Sequence, residues 1–515
     1  MRIGGLASGM DTEQMVRDLM RAERMRMNKF LRQEQTLKWR QESYNDVNRV
    51  MANFILNTRK DFGITQISPN GTLRQNATNN LNWIKAANSS NEAIVSATAR
   101  GDAMNGNHTV EVKQLANNAA FTSDNLITSG ILKADSTFNE EFTITIQNKN
   151  GTSKEITALE GESISTFVNR INNSVIDGTE KSMGLRAAFD INLGQLMIRN
   201  RDTGEDTIVV NGLNGSTVEG TNAEIEFNGT TLVRPTNNFT VFGIELNLRS
   251  AEVDTLVNIH VDTNVDGIFN QIKSFVDSYN SMLDTLNGKV NENQYRSFQP
   301  LTQEEKDTMS DKDIELWEER AKSGLLRNDE VLIRTVQNLR GDLYKTVDAS
   351  GVYKHITEIG ITTGNYRDGG KLVINEDKLR EAISNDPEGV MDLFFKAPAS
   401  DKTGQDRVND SGLVQRLYDG LVTGMKDVVR RSGTGDDASL LRSVQSNILI
   451  DFVTSHSSIS VLDKDLMNLN TRIVREERIL TQREDRYWRQ FSAMEKALGQ
   501  MQQQSNWLYA QMFGG

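Results

Sequence analysis

Leu462-Asp-Lys-Asp-Leu466-Met-Asn-Leu469-Asn-Thr-Arg-Ile473-Val-Arg-Glu476-Glu-Arg-Ile-Leu480 sets apolar side chains three and four residues apart. That spacing lines them up along one face of an α-helix. The stripe begins near Ile459, where Ser457 and Ser458 offer caps, and continues through Tyr487, Met494, Met501 and Leu508 toward Gly514-Gly515. Glu476 and Arg483 interrupt it, and Asp463 lies off it. The remaining circumference is dense in Arg, Lys, Glu and Gln, so the segment reads as a solvated helix with one narrow seam.

The other end of the chain repeats the pattern. A Gly-rich arm, Ile3 to Met10, precedes Asp11-Thr-Glu-Gln14, a helix start with capping-box spacing. A second seam follows through Val16, Met20, Met27, Phe30, Leu37 and Tyr44, broken by Glu23, Glu34 and Gln41. No proline precedes Pro69 or follows Pro398, so nothing forbids long helices at either end. At ~1.5 Å per residue each would be about 70–80 Å long. The two stripes can pair with each other as an antiparallel coiled coil, or with stripes of other subunits. Arg17, Arg21, Arg24, Arg26, Lys29, Arg32, Lys38 and Arg40 make the N-terminal helix basic, but Asp18, Glu23, Glu34 and Glu42 interrupt the run. This predicts a solvated face with cross-helix ion pairs rather than a surface for nucleic acid or membrane.

Between Asn82 and Asp262 the period changes to two. Val110 and Val112 flank Glu111; Phe142, Ile144 and Ile146 alternate with threonines; Leu196 and Ile198, Ile208 and Val210, and Ile244, Leu246 and Leu248 do the same. These are half-buried strands. One helix, Ser163 to Val175, interrupts them. Helices return from Asp266, with further amphipathic segments at Leu325 to Val347 and Gly412 to Val429, and a short strand at Lys371 to Ile374. The fold class is therefore α+β: a multidomain, elongated protein with a terminal helical coiled coil, a helical inner domain and two β-rich inserted domains. The expected nesting is 1–44 with 459–515 as the coiled coil and 45–80 with 265–458 as a mostly helical leg. Residues 81–123 with 223–264 form one β-rich domain, and 124–222 a second inserted in it.

Constellations for catalysis are missing from the sequence. Cys is absent, which removes thiolate nucleophiles, thiolate metal sites and disulfides. His108, His260, His355 and His456 never fall at metal-ligand spacing along a helix. Gly433-Thr-Gly435-Asp436-Asp437 lacks the Lys-Ser/Thr of a phosphate cradle. No enzyme activity, cofactor or metal is expected. No run of about 18 apolar residues spans a membrane, and a net charge of -12 argues against nucleic acid as a partner. The opening lacks the apolar core of a cleavable signal peptide.

Several stretches carry a family resemblance. Ile3-Gly-Gly-Leu-Ala-Ser-Gly-Met-Asp11-Thr, followed by Met15, Val16, Leu19 and Met20, resembles the opening of flagellar filament cap proteins, a family of hook-associated proteins. Gly106-Asn-His-Thr-Val-Glu-Val-Lys-Gln-Leu-Ala116 is similar to that family's Gly-x-Tyr-x-Val-x-Val-x-x-Leu-Ala strand, with His108 where Tyr is usual. Phe275-Val-Asp-Ser-Tyr-Asn280, Ser323 to Asp329 and Gly370 to Leu379 resemble its helical core in the family's order.

The resemblance implies an exported structural factor that leaves through the flagellar type III apparatus without a cleaved signal. It would act outside the cell, at the filament tip. There the family forms a ring, usually a pentamer, beneath which flagellin folds and inserts. The implied partners are further copies of the chain, flagellin, the filament–hook junction protein and a cytoplasmic export chaperone, with a host surface ligand as a secondary role of the β domains. The seam residues would make the self-association and filament contacts. The rival readings are an extracellular adhesin with a coiled-coil base and the filament–hook junction protein itself.

Asp262-Thr-Asn264-Val-Asp266-Gly267 matches the opening of an EF-hand calcium loop. The position that should supply a bidentate Glu holds Lys273, and a cation there repels the ion. The segment reads instead as a turn whose Asp266 caps the following helix. Calorimetric titration with calcium is therefore expected to show no micromolar binding; a micromolar isotherm lost on Asp262→Ala would overturn this reading.

Overall fold

Helix α1 (Thr12–Asp61) starts where the capping-box spacing places it: the Asp11 carboxylate accepts from the Gln14 N–H at 2.8 Å. The structure, a computed structural model, describes residues 11–63, 65–67, 73–75, 81–365, 368–433 and 460–513. The Ile3 to Met10 arm, the Gly435-Asp436-Asp437 loop, His456, Ser457, Ser458, Ile459 and Gly514-Gly515 lie outside the described residues. The chain divides into two units, 1–75 with 269–515, and 76–268.

After α1, β1 (Thr65–Ile67) and β2 (Leu73–Gln75) pair antiparallel. The second unit then runs through β3 (Lys85–Ser89), β4 (Val95–Ala99), β5 (Gly106–Gln114), β6 (Ala120–Ser123), β7 (Phe142–Asn148), β8 (Ser153–Ala158), α2 (Ile164–Asn172), β9 (Leu185–Asp190) and β10 (Gln195–Asn200). It continues through β11 (Ile208–Asn211), β12 (Gly215–Val218), β13 (Ala223–Phe227), β14 (Thr230–Arg234), β15 (Asn238–Val241), β16 (Ile244–Leu248) and β17 (Leu256–Thr263).

The period-two alternation explains this unit's two cores. A five-stranded sheet in the order β14-β13-β5-β17-β3 and a three-stranded sheet β15-β16-β4 share one core. It is built from Val110, Val112, Ile225, Ile259 and Leu246, while their strand neighbours face out. A four-stranded sheet β12-β6-β10-β9, a three-stranded sheet β11-β7-β8 and α2 share the other, around Phe121, Ile144, Phe167, Leu196 and Ile198. Each fully buried side chain of this size stabilises by about 1.5–3 kcal/mol. Helix α2 is shorter than the sequence suggests: Ser163 caps it at Thr166 N, and Val175 instead bridges Ser182. At the β13–β14 hairpin Asn228 and Gly229 both take positive φ, as the two-residue turn that matches strand twist requires. His108 points into the first core, stacked on Phe227 at 5.5 Å, its ring nitrogens 3.1 Å from Met104 O and Asn228 Nδ2. It is a packed and hydrogen-bonded core residue.

Helix α3 (Val265–Asn291) opens with a different cap from the one expected. Asn264, not Asp266, accepts from Gly267 N at 2.8 Å; Asp266 sits in the first turn, and Lys273 pairs with Asp277 at 2.8 Å. Asp262 belongs to strand β17.

The first unit resumes with the rest of α3, then α4 (Gln303–Lys306), α5 (Asp311–Lys322), α6 (Glu330–Leu343) and the antiparallel pair β18 (Ile361–Thr363) and β19 (Leu372–Ile374). Then come α7 (Glu376–Asn385), α8 (Pro387–Phe395), α9 (Gly404–Asp410), α10 (Leu413–Ser432) and α11 (Val461–Phe513). Helix α6 begins at Glu330 rather than Leu325 because Asp329 caps it, accepting from Val331 and Leu332 N–H groups. The C-terminal half of α1 joins this body through Phe54 and through Phe62 just past its end, whose rings lie 6.0 and 5.8 Å from Phe275 of α3. Helix α10 approaches α6 closely at Gly424, where a Cβ would lie 2.5 Å from the Thr335 methyl.

Arg416 on α10 is 2% exposed. Its guanidinium donates to six backbone oxygens, those of Val408, Ser411, Asn409, Asp342, Lys345 and Thr346, at 2.6–3.3 Å. It ties the end of α6 to α9 and the start of α10. Burial pulls its pKa below the usual value, opposed by Asp342 and Asp348. Removing the fork leaves several buried carbonyls unpaired at about 1–3 kcal/mol each. Arg416→Met is expected to cost at least about 3 kcal/mol. Hydrogen exchange should speed up in α6 and α10 while β5 and β17 keep wild-type protection; unchanged protection in α6 and α10 would contradict this.

Candidate assembly site on the paired terminal helices

Helices α1 and α11 pack against each other along their seams. Val16, Met20 and Met27 of α1 and Leu469, Ile473 and Leu480 of α11 form one buried cluster, bordered by Phe30, Leu37, Tyr487, Trp488 and Phe491. The polar contacts fix the direction. Thr12 lies 3.4 Å from Glu495, Glu23 accepts from Arg483 and from the Tyr487 hydroxyl (3.0 Å), Arg26 lies 3.6 Å from Glu476, and Gln41 donates to Asp463 at 3.0 Å. Residues rising along α1 meet residues falling along α11, so the pair is antiparallel.

The seam is thin. Its buried cluster holds six apolar side chains, and Glu23, Glu476 and Arg483, three of the positions that interrupt it in the sequence, are where the two helices exchange charge; Glu34 pairs with Lys38 of α1 itself. Glu476 is 6% exposed and meets Arg26, while Glu23 takes both Arg483 and Tyr487. Because Arg26 and Arg483 reach water, these pairs contribute little, about 0–1 kcal/mol. A buried carboxylate that lost its partner would cost several times more. The charged positions thus favour one register more than they add strength.

The remaining seam residues fall into other places. Leu462 is buried but outside the cluster, and Leu466 and Met494 are half-buried. Tyr44 is fully buried against the helical body rather than against α11. Its hydroxyl donates to Asp329, the α6 cap, to which Arg40 also points at 3.5 Å. Burial, then the Asp329 carboxylate, pushes its pKa up to about 12. Met501 and Leu508 are 64% and 51% exposed, together with Trp507 at 60%. They lie on the last turns of α11, past Glu495, which meets Thr12 at the start of α1.

Three features escape a reading by spacing alone. Trp488 and Phe491 join the cluster where a strict seven-residue repeat points to Gln490. A straight helix drifts about 20° per heptad, so contacts migrate to the neighbouring column. The aromatic pair itself was the available signal. Trp39 is 4% exposed, covered by the Lys322 ammonium 5.1 Å from its ring. Asp463, off the seam by spacing, accepts from Ser460 and Gln41 and so belongs to the junction between α1 and the start of α11.

The basic face of α1 is met by acids of the segment before α5. Arg24 pairs with Glu304 at 3.2 Å and Arg32 with Glu305 at 2.6 Å. Partial burial pushes the Glu305 carboxyl up, but hydrogen bonds from Thr302 and Arg32 outweigh it and hold it below the usual range. Between this segment, α1 and α11 runs a groove of about 1330 Å³ with Ala22, Met25 and Pro300 among its walls. Among the described residues no group of His, Asp and Glu is placed to hold a metal ion, and no helix is long and apolar enough to cross a membrane.

Comparison with known proteins finds sequence relatives along nearly the whole chain. The family described as flagellar hook-associated protein 2 C-terminus matches residues 220–503, and its N-terminus counterpart matches 8–119. The flagellar hook-associated protein 2 of Halalkalibacterium halodurans is 31% identical over 572 aligned positions, covering 99% of each chain. That of Thermotoga maritima is 25% identical over 379, covering 69% of this chain and 53% of its own. A crystal structure of the flagellar cap protein D1-D2-D3 domains from Escherichia coli is 21% identical, covers 74% of this chain and 95% of that one, and has a TM-score of 0.49. The chain belongs to the flagellar hook-associated protein 2 family.

Proposed function

We propose that this chain caps the growing flagellar filament. Copies of it associate in a ring at the filament tip, a pentamer by family resemblance, and flagellin folds and inserts beneath the ring. The chain reaches the tip through the flagellar type III apparatus, escorted by a cytoplasmic chaperone, and first meets the filament–hook junction protein. In this reading residues 1–44 with 459–515 anchor the cap, 45–80 with 265–458 carry the load, and the β-rich parts, 81–123 with 223–264 and 124–222, meet flagellin.

The observation that carries the reading is the seam of α1 and α11. The two helices bury six apolar side chains against each other, yet α11 runs on past Glu495 with Met501, Trp507 and Leu508 exposed. A pair held together internally, with a further apolar stretch beyond, suits an anchor that docks on other helices. The contact made and broken as subunits are added is then that exposed apolar end, whose release sacrifices a small area, while the α1–α11 seam stays closed.

Leu469 tests this. Truncating a fully buried Leu typically costs about 2–5 kcal/mol, and a carboxylate in its place adds desolvation. Leu469→Asp is expected to open the α1–α11 pair while the β cores stay folded. Cells carrying it should export the protein but shed unpolymerised flagellin into the medium. Asn470→Ala, at an exposed position on the same helix, should retain flagellin like wild type. If Leu469→Asp caps filaments normally, anchoring lies elsewhere in the helical unit.

A further inference from the structure

The exposed face of the four-stranded sheet β12-β6-β10-β9 carries an unusual placement of charge. The register of β10 on β9 sets Arg199 directly across from Arg186. Like charges at opposed positions of adjacent strands repel and destabilise the pairing. Arg201 lies two residues beyond Arg199, and its N–H extends the ladder to Gly184 O at 2.7 Å, so it follows on the same face. None of the three arginines forms an ion pair with a described carboxylate, in a chain whose net charge is -12. Three acids of the same domain are engaged elsewhere: Glu205 with Lys149 at 2.6 Å, Asp177 with Lys154, and Asp206 with the Asn200 amide at 2.6 Å.

The arginines line a cavity of about 430 Å³ with Asn118 and Asn172. Its wall is held in place. The Arg201 guanidinium donates to Leu185 O at 3.0 Å and Asn172 O at 2.9 Å. The Asn118 amide donates to Asn200 O and Arg201 O, and Asn172 exchanges hydrogen bonds with the backbone of Ala187. The guanidinium is always charged at physiological pH and presents a planar fork that matches an oxyanion.

We propose that Arg186, Arg199 and Arg201 form a binding site for an oxyanion, either free or as the carboxylate of a small sugar acid. The bound anion offsets the repulsion that the strand register imposes, and the fixed backbone around Arg201 orients it. The site is independent of the terminal helices and of how the cap is anchored.

Calorimetry on the full-length chain, with inorganic sulfate and sodium glucuronate titrated separately at fixed ionic strength, tests this. Saturable binding of one anion per chain is expected. Sulfate without glucuronate identifies a free tetrahedral oxyanion; tighter glucuronate identifies the carboxylate of a sugar acid. Arg199→Gln should weaken binding by at least about tenfold, the loss of one charge-assisted contact, and Arg186→Gln should do the same. Without anion, the Tm of each variant should equal or exceed that of wild type, because the opposed charges are gone. Lys133→Gln, at an exposed position away from the cavity, should bind like wild type. Absence of binding for both anions, wild-type affinity in Arg199→Gln, or a lower Tm for both Gln variants without anion would overturn the proposal.

Discussion

Six apolar side chains, three from each end of the chain, hold α1 to α11, and the helical unit is arranged around that contact. Two helices of 50 and 53 residues would leave their stripes in water if either were alone. Helical propensity does not stabilise such lengths without packing along an amphipathic face. Closing the chain on itself covers much of both stripes at once and leaves the end of the α11 stripe, Met501 and Leu508, exposed. It also makes everything between residues 61 and 461 an insertion between two paired helices. The charged interruptions then acquire a role. Slipping the pair by one turn would strand Glu476 away from Arg26 and Glu23 away from Arg483, a penalty that a purely apolar seam would not impose.

The pair continues into a more conventional core. Past Leu37 the contacts of α1 widen from one seam to a broader buried face, with Tyr44, Val47, Met51, Phe54 and Ile55 all inside. Asp329 is the joint between the two regimes. One carboxylate caps α6, takes the Tyr44 hydroxyl and lies near Arg40, so helix initiation and docking of α1 depend on the same group. Arg416 does comparable work at the far end of α6 through backbone oxygens alone. Both are polar groups at 7% and 2% exposure whose removal leaves partners unpaired, and they confer a definite geometry on a helical body otherwise packed by interchangeable apolar side chains.

The alternation at Val110 and Val112, at Ile144 and Ile146 and at Leu196 and Ile198 makes the strands legible, because a half-buried sheet leaves its period in the chain. The terminal helices are legible for the corresponding reason. What resists such reading depends on register or on tertiary context. Arg186 and Arg199 are unremarkable outward residues until pairing sets them opposite each other, and a single-residue slip would separate them. Arg416 has the look of a solvent-facing position on an amphipathic helix. Asp266 and Asn264 are equally good caps by type, and only the end of β17 at Thr263 decides for Asn264. Along the seam, Trp488 and Phe491 border the cluster in place of Gln490, the drift expected of a straight helix against a seven-residue repeat.

The account rests on α1 and α11 pairing within one chain and staying paired where the protein works. The chain has no cysteine, so Glu23→Cys with Arg483→Cys introduces one defined pair at a contact between the two helices. A short bismaleimide applied to cells with growing filaments should join these positions within a single polypeptide, and the locked protein should still retain flagellin. Cross-links found between polypeptides, or loss of capping once the pair is locked, would contradict it.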